Sequence, residues 1–201
     1  MKLYDVEVSG NCYKIRLFLS LLNMDYELVP IAIAKGEQKS PAYLKKNPLG
    51  EIPVLEDENL VLRDSQAILV YLGLKYGKDD WLPRKPDEMA RVMQWLSTAC
   101  NEIARGLADS RYHEKFKIDL DLEKAHEKSR AILTVMDNHL ADKNWLELGR
   151  VTIADIACFP YIALAHEGGV SLDPYPNVQK WIARVKKLPN FIAMPGIEKI
   201  A

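Results

Sequence analysis

Residues 3–32, LYDVEVSGNCYKIRLFLSLLNMDYELVPIA, change their hydrophobic period twice in a short span. Leu3, Val6 and Val8 sit among Tyr4, Asp5 and Glu7, a mostly alternating pattern that predicts a short strand. Ser9-Gly10-Asn11 breaks that pattern. From Cys12 onward Ile15, Phe18, Leu19 and Leu22 recur at intervals of three and four, which predicts an amphipathic helix. Asn23 and Asp25 end it, and Tyr26 to Ala32 returns to extended structure. The order is β-α-β, and a parallel strand pair needs such a helical crossover.

The same reading extends outward. Lys35 to Ser40 is a polar loop, and a short helix follows from Pro41 to Lys46, with proline early, where its missing N–H costs nothing. Asn47-Pro48-Leu49-Gly50 turns the chain. Pro53 to Glu56 and Leu60 to Leu62 flank Asp57-Glu58-Asn59 as a β-hairpin. Asp64 or Ser65 caps a third helix with apolar face Ile68, Leu69, Leu72 and Tyr76. Residues 77–87, GKDDWLPRKPD, read as a linker. Beyond it strand patterns nearly vanish. One helical stripe runs from Met89 to Leu107 and another from Leu122 to Leu140. Thr152-Ile153-Ala154-Asp155 reads as a capping box opening a helix that Pro160 should kink. Val178, Trp181, Ile182 and Val185 mark a last helix, stopped by Pro189. An α/β first half, residues 1–77, is thus followed by an all-helical second half, residues 88–201, with 78–87 between them.

Composition narrows the function classes. The 201 residues carry 27 Lys+Arg against 28 Asp+Glu, a net charge of -1, without the basic excess of a nucleic-acid binder. Three scattered cysteines, at 12, 100 and 158, cannot make a disulfide framework and suit a reducing cytoplasm. Charged residues at the start argue against a secretory signal, and no apolar run approaches the ~18–20 residues of a membrane span. The histidines at 113, 126, 139 and 166 lack metal-ligand spacing, so no metal is expected.

Three short segments could carry chemistry. At Ser9-Gly10-Asn11-Cys12 the start of a helix offers free N–H donors and the positive end of its dipole to an anion, and a serine hydroxyl there can donate to a thiolate. Capping by Ser9 or Asn11 accounts for the same residues. Cys12, in the first turn, is either a thiol of lowered pKa or a small packing residue. Pro53 opens a strand as an ordinary edge proline or as a cis bond that turns Ile52 outward. Asp64-Ser65 caps a helix, and its amides and hydroxyl would equally hold a carboxylate. Arg111 and Tyr112 either line a pocket or sit on the surface at a helix end.

Order and spacing tie these segments together. SGNCYKIR at 9–16, NPLGEIPVLED at 47–57, RDSQAILVYL at 63–72 and VTIADIA at 151–157 resemble the glutathione S-transferase family over nearly the whole chain. The resemblance implies a thioredoxin-like domain that holds glutathione as co-substrate, with no other cofactor, and a helical domain that supplies most of the pocket for a small hydrophobic electrophile. It implies Ser9 as the catalytic serine of the theta- and zeta-like classes. It places the backbone of Ile52, ahead of the cis-proline Pro53, against the cysteinyl part of glutathione and Ser65 at the γ-glutamyl carboxylate, with Glu51 and Asp64 also among the glutathione-binding residues and Asp64 standing where glutamate is commoner. Gln38 and Lys39 fall where other classes contact the glycyl end. Asn11 and Cys12 remain possible thiol contacts: Ser9-x-x-Cys12 looks like a Cys-x-x-Cys motif whose attacking cysteine is replaced by serine. The implied protein is a cytoplasmic homodimer that activates the glutathione thiol, with peroxide or disulfide reduction and non-catalytic glutathione binding as alternatives.

Overall fold

The computed structural model describes residues 1–199. Its first half is a four-stranded mixed sheet in the order β2-β1-β3-β4, built from β1 (Lys2–Asp5), β2 (Glu27–Pro30), β3 (Val54–Asp57) and β4 (Leu60–Arg63). β1 pairs in parallel with β2 and antiparallel with β3, so Leu3 faces Leu28 on one side and Leu55 on the other. Helix α1 (Gly10–Leu21) makes the crossover, and α2 (Pro41–Leu44) and α3 (Ser65–Lys75) complete a thioredoxin-like layer. The expected polar loop before α2 instead contains two turns of 3-10 helix, residues 33–35 and 37–39, joined by Gly36 at φ 72°.

α1 is more deeply buried than an amphipathic surface helix. Tyr13, Ile15, Leu17, Phe18 and Leu19 are all inaccessible to solvent, and burial of each such side chain contributes about 1.5–3 kcal/mol. The reason is its position as a wedge. One face covers the sheet, and the other packs on the helical half through Tyr13 against Phe159 and through the Tyr13 hydroxyl, which donates to the Ile192 carbonyl at 2.7 Å. Arg16, almost buried, pairs with Asp5 and donates to the Glu7 carbonyl at 2.6 Å, which fixes the β1–α1 loop.

The helical half differs from the sequence pattern in two ways. The expected linker contains α4 (Lys78–Trp81), a single turn held by Trp81 edge-on to Phe18 at 5.0 Å. The first stripe extends further than periodicity indicated. α5 (Pro86–Thr98) runs without interruption into a π-wound segment (Ala99–Ala108) and then α6 (Asp109–Phe116), ending at Lys117 in the left-handed region. Gly106 in the π segment permits close contact with α7 (Leu122–His139), since a Cβ there would lie 2.8 Å from the Ser129 nitrogen. α8 (Ile153–Ala163) opens with the expected capping box and continues through Pro160. The buried Asp155 accepts from the Thr152 N–H at 2.9 Å, from the Leu146 N–H at 3.1 Å and from the Trp181 indole of α9 (Pro176–Lys186) at 2.9 Å. Burial pushes its carboxyl up to about 6 against the pull of those donors. No helix among the described residues is long and apolar enough to cross a membrane.

Candidate active site

A cleft of about 540 Å³ lies where the start of α1, the start of α3 and the π segment meet. Ser9 is the N-cap of α1, and its Oγ accepts from the Cys12 N–H at 3.3 Å. The Ser9 proton is therefore left to donate, at the positive end of a three-turn helix. Asn11 lines the cleft, and its Oδ1 accepts from Lys14 Nζ at 2.8 Å and from Ser65 Oγ at 3.4 Å. Asp64 stands at φ 71° in the left-handed region, a strained conformation for a non-glycine residue. There its carboxylate accepts from the Gln66 and Ala67 N–H groups and leaves the Ser65 amide at the helix start.

Lys14 is the residue that sequence reasoning missed. It is only 1% exposed, lines the cleft, and sits over the Tyr161 ring at 5.5 Å. No carboxylate among the described residues lies within ion-pair distance of it, and burial pulls its ammonium down to about 8. A buried cation without a counter-ion is costly unless an anion arrives to meet it. The available signal was a lysine inside the run Cys12-Tyr13-Lys14-Ile15, otherwise suited to burial. Gln66, Cys100 and Tyr161 also line the cleft, and periodicity gave no reason to select them.

Against the wall of this cleft lies a second cavity of about 490 Å³, lined by Val6, Val8, Ile33, Ala34, Phe116 and Ile118. Ser9, Ile52 and Tyr112 line both spaces. The Ser9 hydroxyl thus stands on the boundary between a polar and an apolar compartment. Tyr112 places its hydroxyl 3.1 Å from that of Tyr161.

Other expected residues fall as follows. The Ile52-Pro53 bond is cis, and Ile52 and Glu51 border the cleft; the Glu51 carbonyl accepts from the Tyr43 hydroxyl and the Asn47 amide. Pro53 itself is buried beneath them. Gln38 and Lys39 are not brought to the cleft. Their turn packs on Gly50, and Lys39 Nζ is engaged with the Leu49 carbonyl at 2.8 Å. Cys12 is wholly buried and borders neither cavity, and burial pushes its thiol up to about 12. It is a packing residue, neutral at physiological pH. Arg111 is not at the surface: it is buried and paired with Glu167.

Known proteins match both halves of the chain. Residues 3–80 match the family model described as "Glutathione S-transferase, N-terminal domain", and residues 89–189 the one described as "Glutathione S-transferase, C-terminal domain". The chain belongs to the glutathione S-transferase family. It is similar to a glutathione S-transferase of known structure from Pseudomonas fluorescens, with 35% identity and a TM-score of 0.90, covering 96% of this chain and 98% of that one. Among curated relatives, glutathione S-transferase Z1 of Arabidopsis thaliana is 31% identical over 95% of this chain and 89% of its own length. The disulfide-bond oxidoreductase YfcG of Escherichia coli is 30% identical over 89% and 87% respectively.

Proposed function

We propose that this protein binds glutathione in the polar cleft, activates its thiol through Ser9 and delivers the thiolate to an electrophile in the apolar cavity. The observation that carries the reading is the place of Ser9: it caps α1 and lines both compartments. A thiol laid against it from the polar side faces the apolar one. A free thiol has a pKa near ~8.5, and lowering it by about two units requires ~2.7 kcal/mol in favour of the anion. A charge-assisted hydrogen bond from the Ser9 hydroxyl and the dipole of α1 together suit that magnitude. The thiolate then forms the new carbon–sulfur bond as the bond to the electrophile's leaving group breaks and that group departs as an anion, chloride in the case of 1-chloro-2,4-dinitrobenzene; the thiol proton goes to solvent.

The rest of the cleft fits the peptide. Glutathione carries two carboxylates and one ammonium. The free amide of Ser65, with its hydroxyl turned from the long bond to Asn11, suits the γ-glutamyl carboxylate, and the buried Lys14 ammonium supplies the positive charge nearby. Ile52, ahead of the cis-proline, offers backbone groups to the cysteinyl part. Exposed Leu60, Val61, Leu74 and Met93, on β4, α3 and α5, suit burial in a homodimer. A serine-type enzyme is the reading these residues support.

Steady-state conjugation of glutathione to 1-chloro-2,4-dinitrobenzene tests it. Ser9→Ala is expected to lower kcat/KM roughly ten-fold at neutral pH, the loss of thiolate expected when the hydroxyl's share of the two units goes and that of the α1 dipole stays; unchanged turnover would remove Ser9 from the mechanism. Similarity to a disulfide-bond oxidoreductase favours a second reading, glutathione-dependent disulfide exchange, in which the protein's own Cys12 has no part because it is buried and neutral. Reduction of 2-hydroxyethyl disulfide by glutathione, undiminished in Cys12→Ala and exceeding conjugation in rate, would favour that reading over the first.

A further inference from the structure

The apolar cavity contains one group that an apolar ligand does not need. Arg111, on α6, lines it and is 1% exposed. Its Nε donates to Glu167, yet both terminal nitrogens, Nη1 and Nη2, are buried without a hydrogen-bond partner among the described residues. A guanidinium has five N–H donors in a rigid fork, so four of them go unmet. Unmet buried donors are rare in folded proteins and mark strain or a ligand site. The local charge is unbalanced in the same sense. Glu167 is shared by Arg111 and Lys115, two cations on one carboxylate, which leaves one positive charge in excess. The backbones that carry the pair are in tight contact: a Cβ on Gly168 would come within 2.8 Å of the Arg111 backbone nitrogen, which leaves α6 and the turn bearing Glu167 little room to part. Its remaining cover is the Phe116 ring, 5.2 Å from Cζ and 40% exposed, which itself borders the cavity.

We propose that the second substrate is an apolar electrophile bearing one carboxylate, which docks on the Nη1 and Nη2 edge of Arg111 while its apolar body fills the cavity and its reacting carbon faces Ser9. A carboxylate is preferred to a neutral acceptor because it meets two parallel N–H donors in bidentate geometry and neutralises the excess charge. Phe116 shifts from its place over the guanidinium and stacks on the incoming molecule. Arg111 acts here as a specificity-determining residue of the second-substrate site, and the inference rests on glutathione occupying the neighbouring cleft.

Product analogues test it without turnover. S-benzylglutathione, its 3- and 4-carboxybenzyl derivatives and the neutral 3- and 4-carbamoylbenzyl isosteres are titrated calorimetrically into the protein. The expected result is that one carboxybenzyl conjugate binds roughly ten-fold or more tighter than its carbamoyl isostere. Arg111→Met is expected to abolish that preference, read as the ratio of carboxybenzyl to carbamoylbenzyl affinity in the same variant, whereas Arg111→Lys retains part of it. The ligand series on the wild-type protein stands even if Arg111→Met does not fold. Equal affinity for the carboxylated and carbamoylated ligands overturns the inference, as does a preference that survives in folded Arg111→Met. If S-benzylglutathione binds normally in either case, the glutathione reading is untouched. If none of the conjugates binds, that reading fails and the inference with it.

Discussion

Lys14 and Cys12 are two places apart on α1 and behave oppositely because of what surrounds them. The Cys12 thiol is enclosed and pushed up, so it contributes volume and no reactivity. Cys100, exposed on the π segment at the rim of the cleft, is the accessible thiol. Brief alkylation of the native protein followed by mass spectrometry should therefore mark Cys100 and spare Cys12 and Cys158, both of which react only after denaturation. Lys14 is enclosed too, but it lines the cleft. Its ammonium is the form that attracts a carboxylate, and that form prevails below about 8. Affinity for S-methylglutathione, which has no thiol to titrate, should therefore fall as pH rises through about 8, and Lys14→Met should flatten that part of the profile and bind roughly ten-fold more weakly at pH 7. Calorimetry from pH 6.5 to 9.5 reads both. The stability sign runs the other way. Folding lowers this pKa from 10.5 to about 8, so the unfolded chain binds more protons between those values. The contribution of Lys14 to stability, read as the wild type minus Lys14→Met, rises with pH across that window.

Among the elements, α1 and the β3–β4 hairpin depend on single contacts. Gly10 begins α1 beneath the Tyr161 ring, and a Cβ there would come 2.8 Å from Tyr161 Cζ. Gly10→Ala forces apart the helix start that holds Ser9 and the α8 tyrosine, and is expected to destabilise by about 1–3 kcal/mol by chemical denaturation. In the hairpin, Asp57 is buried and accepts from the Tyr71 and Tyr76 hydroxyls at 2.7 and 2.6 Å and from Lys75 at 3.0 Å. Burial alone would raise its carboxyl, but these three donors outweigh it and hold it at about 2. Its folded pKa lies below the unfolded value, so its stabilisation is complete above about 4 and is lost as pH falls towards 2. Asp57→Asn should cost about 2–3 kcal/mol at pH 7 and less at pH 2.5. The periodicity of residues 3–32 sufficed to predict β1, α1 and β2, because alternation and the three-four spacing follow directly from backbone geometry. The hairpin and the capping box were legible in the same way, from local turn and cap chemistry. The unbroken winding from Pro86 to Phe116 was not, since the π segment depends on how closely Gly106 lets α7 approach.

At the scale of the molecule, the buried apolar residues of α1, α3, α5, α7, α8 and α9 form one continuous core across both halves. Thermal unfolding should therefore show a single transition, with tryptophan fluorescence, whose reporters at 81, 95, 145 and 181 all lie beyond the sheet, coinciding with amide exchange in β1 and β3. Two separated transitions would contradict a shared core. The same continuity explains why the site was only partly legible. Ser9, Asn11, Ile52 and Ser65 each stand in a local cap or turn signature. Lys14 over Tyr161 and Arg111 on Glu167 join residues far apart in sequence, and neither pair leaves a local pattern. Ser9 stands where the two halves and the two cavities meet, and its role is tested most directly by the pKa of bound glutathione, read as thiolate absorbance in the ultraviolet against pH. The thiol should titrate about two units below the free peptide in the wild type and rise by about one unit or more in Ser9→Ala, the remainder being the share of the α1 dipole. A bound thiol that titrates at the free value, or a depression left undiminished in Ser9→Ala, would contradict the assignment of Ser9.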